Sequence, residues 1–278
     1  AACLGENGLM AEAIGILLDG TGYGTGGQLW GFEVASGDYA HYERHYRLAE
    51  VPLPGGDNSV RHPFITATAY LSLFLGQRGR QLALELFPQY KHEVLAAEQI
   101  MAAGINCPLS SSCGRLFDAV AAMLHLCYHN TYEGQAPAEL SSLVPWFLSN
   151  GPSLAVKPPA PYPYTINGAE INPAPLLEAI MADLMSGISA ENIAWRFHET
   201  MVAIIKEAAT MVRSETGLNR VVLSGGSWYN RYLLGRTMEA LAQDGFQVYS
   251  HHLVPAGDGG LALGQALVAL CASPIMKK

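Results

Sequence analysis

The sequence is poor in positive charge: 16 Lys and Arg stand against 24 Asp and Glu, with no basic run among them. Binding to RNA or DNA needs such a run or patch to neutralise phosphates, so the pattern carries no nucleic-acid footprint. No apolar stretch approaches the roughly 20 residues that cross a bilayer, which argues against a membrane protein. The five cysteines, Cys3, Cys107, Cys113, Cys127 and Cys271, form no C-x-x-C pair. They read as reduced, mostly structural thiols of a cytoplasmic protein, at spacings that do not build a zinc site. Signatures of several enzyme classes are also missing. There is no G-x-x-x-x-G-K followed by Ser or Thr, no G-x-S-x-G elbow and no H-E-x-x-H helix, which excludes a P-loop and argues against an α/β-hydrolase or a zincin-type protease. The chain opens Ala1-Ala2-Cys3-Leu4 without Met and without the regions of a signal peptide. It reads as the middle of a helix, so a piece of a longer polypeptide is expected.

Hydrophobic residues are abundant, half of the 278, enough for the core of one large or two small globular domains. The chain is organised around Arg220-Val-Val-Leu-Ser-Gly-Gly-Ser-Trp-Tyr-Asn230. Val221 to Leu223 reads as a buried strand, Ser224-Gly225-Gly226 breaks it, and a helix is expected from about Tyr229 to Gln243. Strand, glycine turn and helix in that order aim backbone N–H groups at whatever lies above the turn, a place suited to phosphate or a nucleotide. Many α/β proteins carry such a turn for packing alone.

Upstream, Ala13 to Leu18 and Gln28 to Val34 read as a hairpin with a glycine-rich tip and Asp19 at the strand end. A third strand is expected over His41 to Leu48. Helices follow at about His62 to Leu75, Arg80 to Phe87, His92 to Ala103, Gly114 to Leu124 and Ala138 to Leu143. Val156 to Asn172 is Pro-rich and irregular, with room for a short strand at Tyr162 to Ile166. Helices at Pro175 to Met185 and Ala190 to Glu215 precede the central strand. A strand at Gln247 to Ser250 and a second glycine turn, Pro255 to Gly260, lead into a last helix, Leu261 to Ala272. Three strands in a meander followed by strand–helix–strand–helix is the ribonuclease H-like pattern: an α/β fold with a mixed sheet and helices on both faces. The turns after Leu18 and Leu223 are then expected at one end of that sheet, where ligands sit.

The candidates for chemistry are Asp19, Asp118 and Asp258. A carboxylate at the mouth of a glycine turn can bind a metal or orient its water, although Asp also favours turns for its own hydrogen bonds. Arg115 and Asp118, three apart, share a helix face and read first as a surface pair. His198 reads as a packed or capping histidine. His251 and His252 are adjacent, point to opposite sides of a strand and make a poor metal pair.

The ordered set Leu18-Asp19-Gly20-Thr21-Gly22-Tyr23-Gly24, Leu29-Trp30-Gly31, Leu53-Pro54-Gly55-Gly56-Asp57, Gly114-Arg115-Leu116-Phe117-Asp118, Tyr132-Glu133-Gly134-Gln135, Arg196-Phe197-His198, Leu223-Ser224-Gly225-Gly226 to Asn230 and Asp258-Gly259-Gly260 through Gly264-Gln265 closely resembles the C-terminal domain of the HypF family. These carbamoyltransferases mature nickel–iron hydrogenases. The domain is similar to the tRNA threonylcarbamoyltransferase TsaD and to the actin and hexokinase superfamily of ATPases, and the match spans the whole chain as a second lobe plus the last helix. The resemblance implies carbamoyl transfer from carbamoyl-adenylate, made from carbamoyl phosphate and ATP by an upstream YrdC-like domain, to the C-terminal cysteine of a partner, HypE. That group later becomes a cyanide ligand of the hydrogenase iron. It implies Asp19 and Asp258 as catalytic metal ligands, for iron or zinc, or for magnesium with the nucleotide. It places Gly20, Thr21, Gly22, Asp118, Gly134, Gly225, Gly226 and Asn230 around the nucleotide. In the family, paired histidines just before Ala-Ala-Cys-Leu complete the metal site, and this chain starts past them, so an incomplete site is expected. Trp228-Tyr229 stands where smaller or amide residues are expected. The competing readings are a nucleotide-binding or docking module without catalysis, and a TsaD-type tRNA enzyme. The acidic balance, and Asp19-Gly20-Thr21-Gly22 in place of Gly-Gly-His-Thr, speak against the latter.

Overall fold

The structure, a computed structural model, describes residues 1–144 and 157–272. Its centre is β1, Ala13–Tyr23, whose apolar residues alternate. Ile14, Ile16 and Leu18 are fully buried in the main core, whereas Ala13 belongs to a second, small core on the opposite face. A period of two is what a strand produces when different layers cover its two faces. β2, Leu29–Gly37, pairs with β1 antiparallel, and β3, Tyr42–Leu48, pairs with β2 antiparallel, which is the expected meander. β8, Arg220–Ser224, and β9, Gln247–Tyr249, continue the other side of β1 in parallel.

The short β4, Val51–Pro52, and β5, Leu109–Ser110, pair with each other, and β5 also joins β2. β6, Thr165–Asn167, and β7, Glu170–Asn172, form an antiparallel hairpin that docks on β3. The main sheet order is β6-β7-β3-β2-β1-β8-β9, mixed as the sequence pattern requires. The hairpin corrects the reading of this stretch as irregular with a strand at Tyr162 to Ile166; Val156, where that reading began, lies outside the described residues. Asn167 followed by Gly168 at φ 58° supplies the turn, a local signal strong enough to register three-residue strands. Tyr162 itself is buried before the hairpin begins.

The helices cover the two faces unequally. On the main face lie α3, Pro63–Leu86, α5, Cys113–Met123, α8, Ala190–Thr216, and α9, Arg231–Gln243. With them pack α2, Asp57–Arg61, α4, Lys91–Ala103, α6, Gln135–Ser142, and α7, Ala174–Met185. α3 spans both helices expected between His62 and Phe87. Its kink falls at Gly76, φ 59° and ψ −134°, a backbone state that glycine takes without penalty. On the other face, among the described residues, α1, Ala2–Glu6, packs on β8, and α10, Leu261–Ala272, packs on α1. Leu17 on that face is 40% exposed, and Leu261 and Leu270 of α10 more so. The thin side of the sheet is where a cavity remains.

Candidate functional site

β1 and β8 run in the same direction in register, Leu17 opposite Ser224. Parallel strands deliver their following residues to one edge, so Asp19 and the Ser224-Gly225-Gly226 turn arrive together. Asp19 is not at a strand end, as the hairpin reading had it. β1 continues to Tyr23, and its register with β2 shifts between Leu18 and Gly22. Asp19 to Thr21 therefore form a bulge, a device that re-aims side chains within a sheet.

The glycines allow three backbone segments to touch. A methyl group on Gly225, φ 112°, would stand 2.1 Å from the Leu18 carbonyl oxygen; on Gly226 it would stand 3.1 Å from Asp19 Oδ1, and on Gly257 3.4 Å from the Gly226 Cα. The Gly225 N–H donates to the Ala256 carbonyl at 2.8 Å, tying the third turn to the second. Gly225→Ala is accordingly expected to destabilise the protein by about 3 kcal/mol through backbone collision at a positive φ; an unshifted urea midpoint for that variant would disprove the close packing of the turn.

Asp19 has the most constrained carboxylate of the site. Burial raises its pKa; the Gly20 and Gly226 amides pull it back, and the charges of Asp258 and Glu133 push it up again. The Gly20 N–H donates to Asp19 Oδ1 at 2.7 Å. Asp19 and Asp258 line one cavity of about 600 Å³ with Trp30, Ser224, His251 and Gln265. A buried carboxylate whose ionisation is opposed by a neighbouring carboxylate's charge, as Asp19 is by Asp258, is relieved by a divalent cation, and the oxygens of both residues are hard donors suited to such an ion. These residues fit a cation that takes its remaining ligands from substrate, water or other side chains.

Three metal-type donors also come together, one of them the His251 of this cavity. Cys3, Glu6 and His251 have ligand atoms within 4.8 Å of one another, a grouping that cysteine spacing could not reveal. His251 and His252 are past the end of β9, and both Nδ1 atoms approach Glu6, contrary to the expectation of opposite sides of a strand. The Glu6 carboxylate accepts the main-chain N–H groups of His252 at 3.0 Å and Leu253 at 2.7 Å, so its evident work is to fasten α1 to the loop after β9.

The remaining predicted residues sit on several different elements. Gly22 closes the bulge, and a methyl there would lie 2.8 Å from the Trp30 carbonyl oxygen; Thr21 is exposed. Gly134, φ 78°, starts α6. Asn230 caps α9, its Oδ1 accepting from Leu233 N at 3.0 Å while its Nδ2 donates to His198 Nε2 at 2.8 Å. His198 is packed, as expected, with no exposed surface. Asp118 lies apart from the cavity. It is 0% exposed and paired with Arg115 at 2.9 Å, which overturns the surface-pair reading: every residue of α5 is buried, so no face of this helix is a surface. Burial lifts the Asp118 pKa to about 6, with Arg115 and Asn130 holding it down in part. Trp228 is buried, and its Nε1 donates to the Ile16 carbonyl at 3.2 Å, so this bulky residue braces the turn from beneath. Glu133 escaped the sequence reading because Tyr132-Glu133-Gly134-Gln135 was valued for its glycine.

This geometry agrees with what the chain is similar to. A family described as the carbamoyltransferase Kae1-like domain, second subdomain, of the HypF type matches residues 15–265. The carbamoyltransferase HypF of Rhodobacter capsulatus is 38% identical over 97% of this chain and 34% of its own length. A crystal structure of full-length HypF in the phosphate- and nucleotide-bound form superposes with a TM-score of 0.86 at 37% identity, over 98% of this chain and 42% of that one. A tRNA N6-adenosine threonylcarbamoyltransferase of Methanopyrus kandleri is 29% identical over only 37% of this chain. The chain spans about a third of the length of the HypF relatives it matches first. It belongs to the HypF carbamoyltransferase family and corresponds to the second Kae1-like subdomain.

Proposed function

We propose that this chain forms one wall of a carbamoyl-transfer site, in which the carbamoyl group of carbamoyl-adenylate passes to the C-terminal cysteine of a HypE-type partner in the cytoplasm. The observation that carries the reading is the meeting of Asp19, the Gly225–Gly226 turn and the Asp258 turn at one sheet edge. The family membership and the phosphate and nucleotide held by a solved relative support it.

In this reading the acceptor thiolate attacks the carbamoyl carbon, the bond from that carbon to the phosphate oxygen breaks, and AMP leaves. Amides of the glycine turns hold the phosphate, a use of fixed dipoles that needs no reorganisation during reaction. Asp19 and Asp258 would hold a divalent cation, which when bound supplies Lewis-acid polarisation and charge neutralisation at the transferring group. Gly134 and Asn230 border the nucleotide. The thiol must come from the partner. Burial pushes Cys3 up to about 11 and Cys113 up to about 12, so neither offers appreciable thiolate at neutral pH. An upstream YrdC-like domain would supply the adenylate.

The test uses the full-length protein that carries this domain, with carbamoyl phosphate, ATP and HypE. Asp258→Ala is expected to lower carbamoyl transfer to HypE by on the order of 100-fold or more while adenylate formation continues. Normal transfer by the variant would remove Asp258 from the site. Absence of transfer by the unsubstituted full-length protein, with adenylate formation intact and nucleotide still bound, would favour the docking-module reading.

A further inference from the structure

The buried Arg115–Asp118 pair is left unfinished. Arg115 is 5% exposed, and its Nε lies 2.9 Å from Asp118 Oδ2. Yet Arg115 Nε and Nη1 and the Tyr70 hydroxyl lack an aligned hydrogen-bond partner among the described residues, and beside Arg115 the Asp118 carboxylate has only the Asn130 side chain to hold it. The fields of both Arg115 and Asp118 reach the Tyr70 phenol, so these orphaned atoms belong to one pocket of polarity inside α3 and α5. Buried polar groups are nearly always paired, and a guanidinium with five N–H donors is poorly served by a single carboxylate contact.

The wall between this pair and the site is as thin as a backbone allows. The Ser112 hydroxyl bonds the Asp19 and Gly20 carbonyls at 2.9 and 2.7 Å, pinning the start of α5 to the bulge. A methyl on Gly114 would stand 2.8 Å from the Gly20 Cα, and one on Gly20 would stand 3.6 Å from Arg115 Nη2. Any side chain at Gly20 would cover that nitrogen. Glycine leaves the space between that nitrogen and the bulge free of a side chain.

We propose that Arg115 is a nucleotide-binding residue, its Nη2 passing the Gly20 window to a phosphate oxygen while Asp118 fixes the guanidinium from behind. The inference rests on the nucleotide reading above. An arginine anchored on one edge presents its other edge in a set direction, the arrangement that favours planar recognition of phosphate over a point charge.

ADP and adenosine titrated calorimetrically into the 278-residue chain separate the possibilities. Arg115→Lys and Arg115→Gln should weaken ADP binding about tenfold or more and leave adenosine binding unchanged. A parallel loss for both ligands, or no loss for either, would overturn the proposal and leave Arg115 a neutraliser of Asp118. In unsubstituted protein the Arg115 Nε–H resonance should move with ADP and stay with adenosine; a resonance that ignores ADP contradicts the proposal even if the variants do not fold. Binding of neither ligand by the unsubstituted chain would defeat the nucleotide reading and this inference with it, whereas adenosine binding as tightly as ADP would defeat this inference alone.

Discussion

Asp19→Asn is expected to make the protein more heat-stable and, in the full-length protein, to lower carbamoyl transfer by on the order of 100-fold. Both effects come from one carboxylate. Burial raises the Asp19 pKa, and Asp258 and Glu133 add to it against the pull of two glycine amides. A carboxyl whose folded value lies above its unfolded value costs stability as pH rises from the unfolded value through the folded one, because the unfolded chain gives up its proton first. Above the folded value that cost is fully present, and the amide removes it while keeping the shape and the Gly20 contact. The melting temperature of Asp19→Asn should therefore exceed that of the parent near pH 7, with the gap closing in acid, where both states are protonated. Equal melting curves across this range would show that the site stores no charge strain. Full transfer activity would show that the carboxylate is not needed. A functional site that is destabilised by its own charges is a common way for activity and stability to oppose each other.

Most of the architecture was legible because it rests on periodicity and punctuation. The alternation in Ala13 to Leu18, the meander spacing and the glycine breaks after Leu223 and before Leu261 mark local backbone states, and the protein has strands and helices there. What was not legible depended on which surface meets which. Arg115 and Asp118 are separated by one helical turn whether the face they share is wet or buried; only the packing of α5 against α3 and β1 decides. The bulge at Asp19 to Thr21 was read as a strand end because polar and glycine residues look alike in both. The β6–β7 hairpin was missed because its strands are three residues each, shorter than any period can register. Cys3 and Glu6 lie about 250 residues from His251 in sequence and meet it because α1 packs against β8. The order of motifs pointed to the site, but the charge of Glu133 acting on Asp19 and the nearness of Arg115 to Gly20 appear only in the folded chain.

Acid is expected to weaken this protein through His198. Its ring is fully buried among Phe117, Phe197 and Tyr232. Nδ1–H donates to the Ala194 carbonyl at 2.7 Å, and Nε2 accepts from Asn230 at 2.8 Å, which fixes the neutral tautomer. Burial lowers the pKa to about 4, with the Ala194 carbonyl and Glu199 opposing it. The unfolded histidine takes up its proton near 6.5, so between about pH 6.5 and 4 the unfolded state binds more protons and stability falls, by roughly 3 kcal/mol in total. The consequence reaches the site, because the amide that His198 holds belongs to Asn230, the cap of α9 directly after the Gly225–Gly226 turn. Protonation would turn Nε2 from acceptor to donor and set it against the Asn230 amide donor. His198→Phe should lower stability at pH 7 by about 1–3 kcal/mol, the cost of the lost bonds, and should shrink the difference in urea-unfolding free energy between pH 7 and pH 4 by roughly the 3 kcal/mol assigned to this ring. A His198 resonance that titrates near 6.5 in the folded protein, or a variant with the parent's full acid sensitivity, would show that the turn is not held by a neutral imidazole.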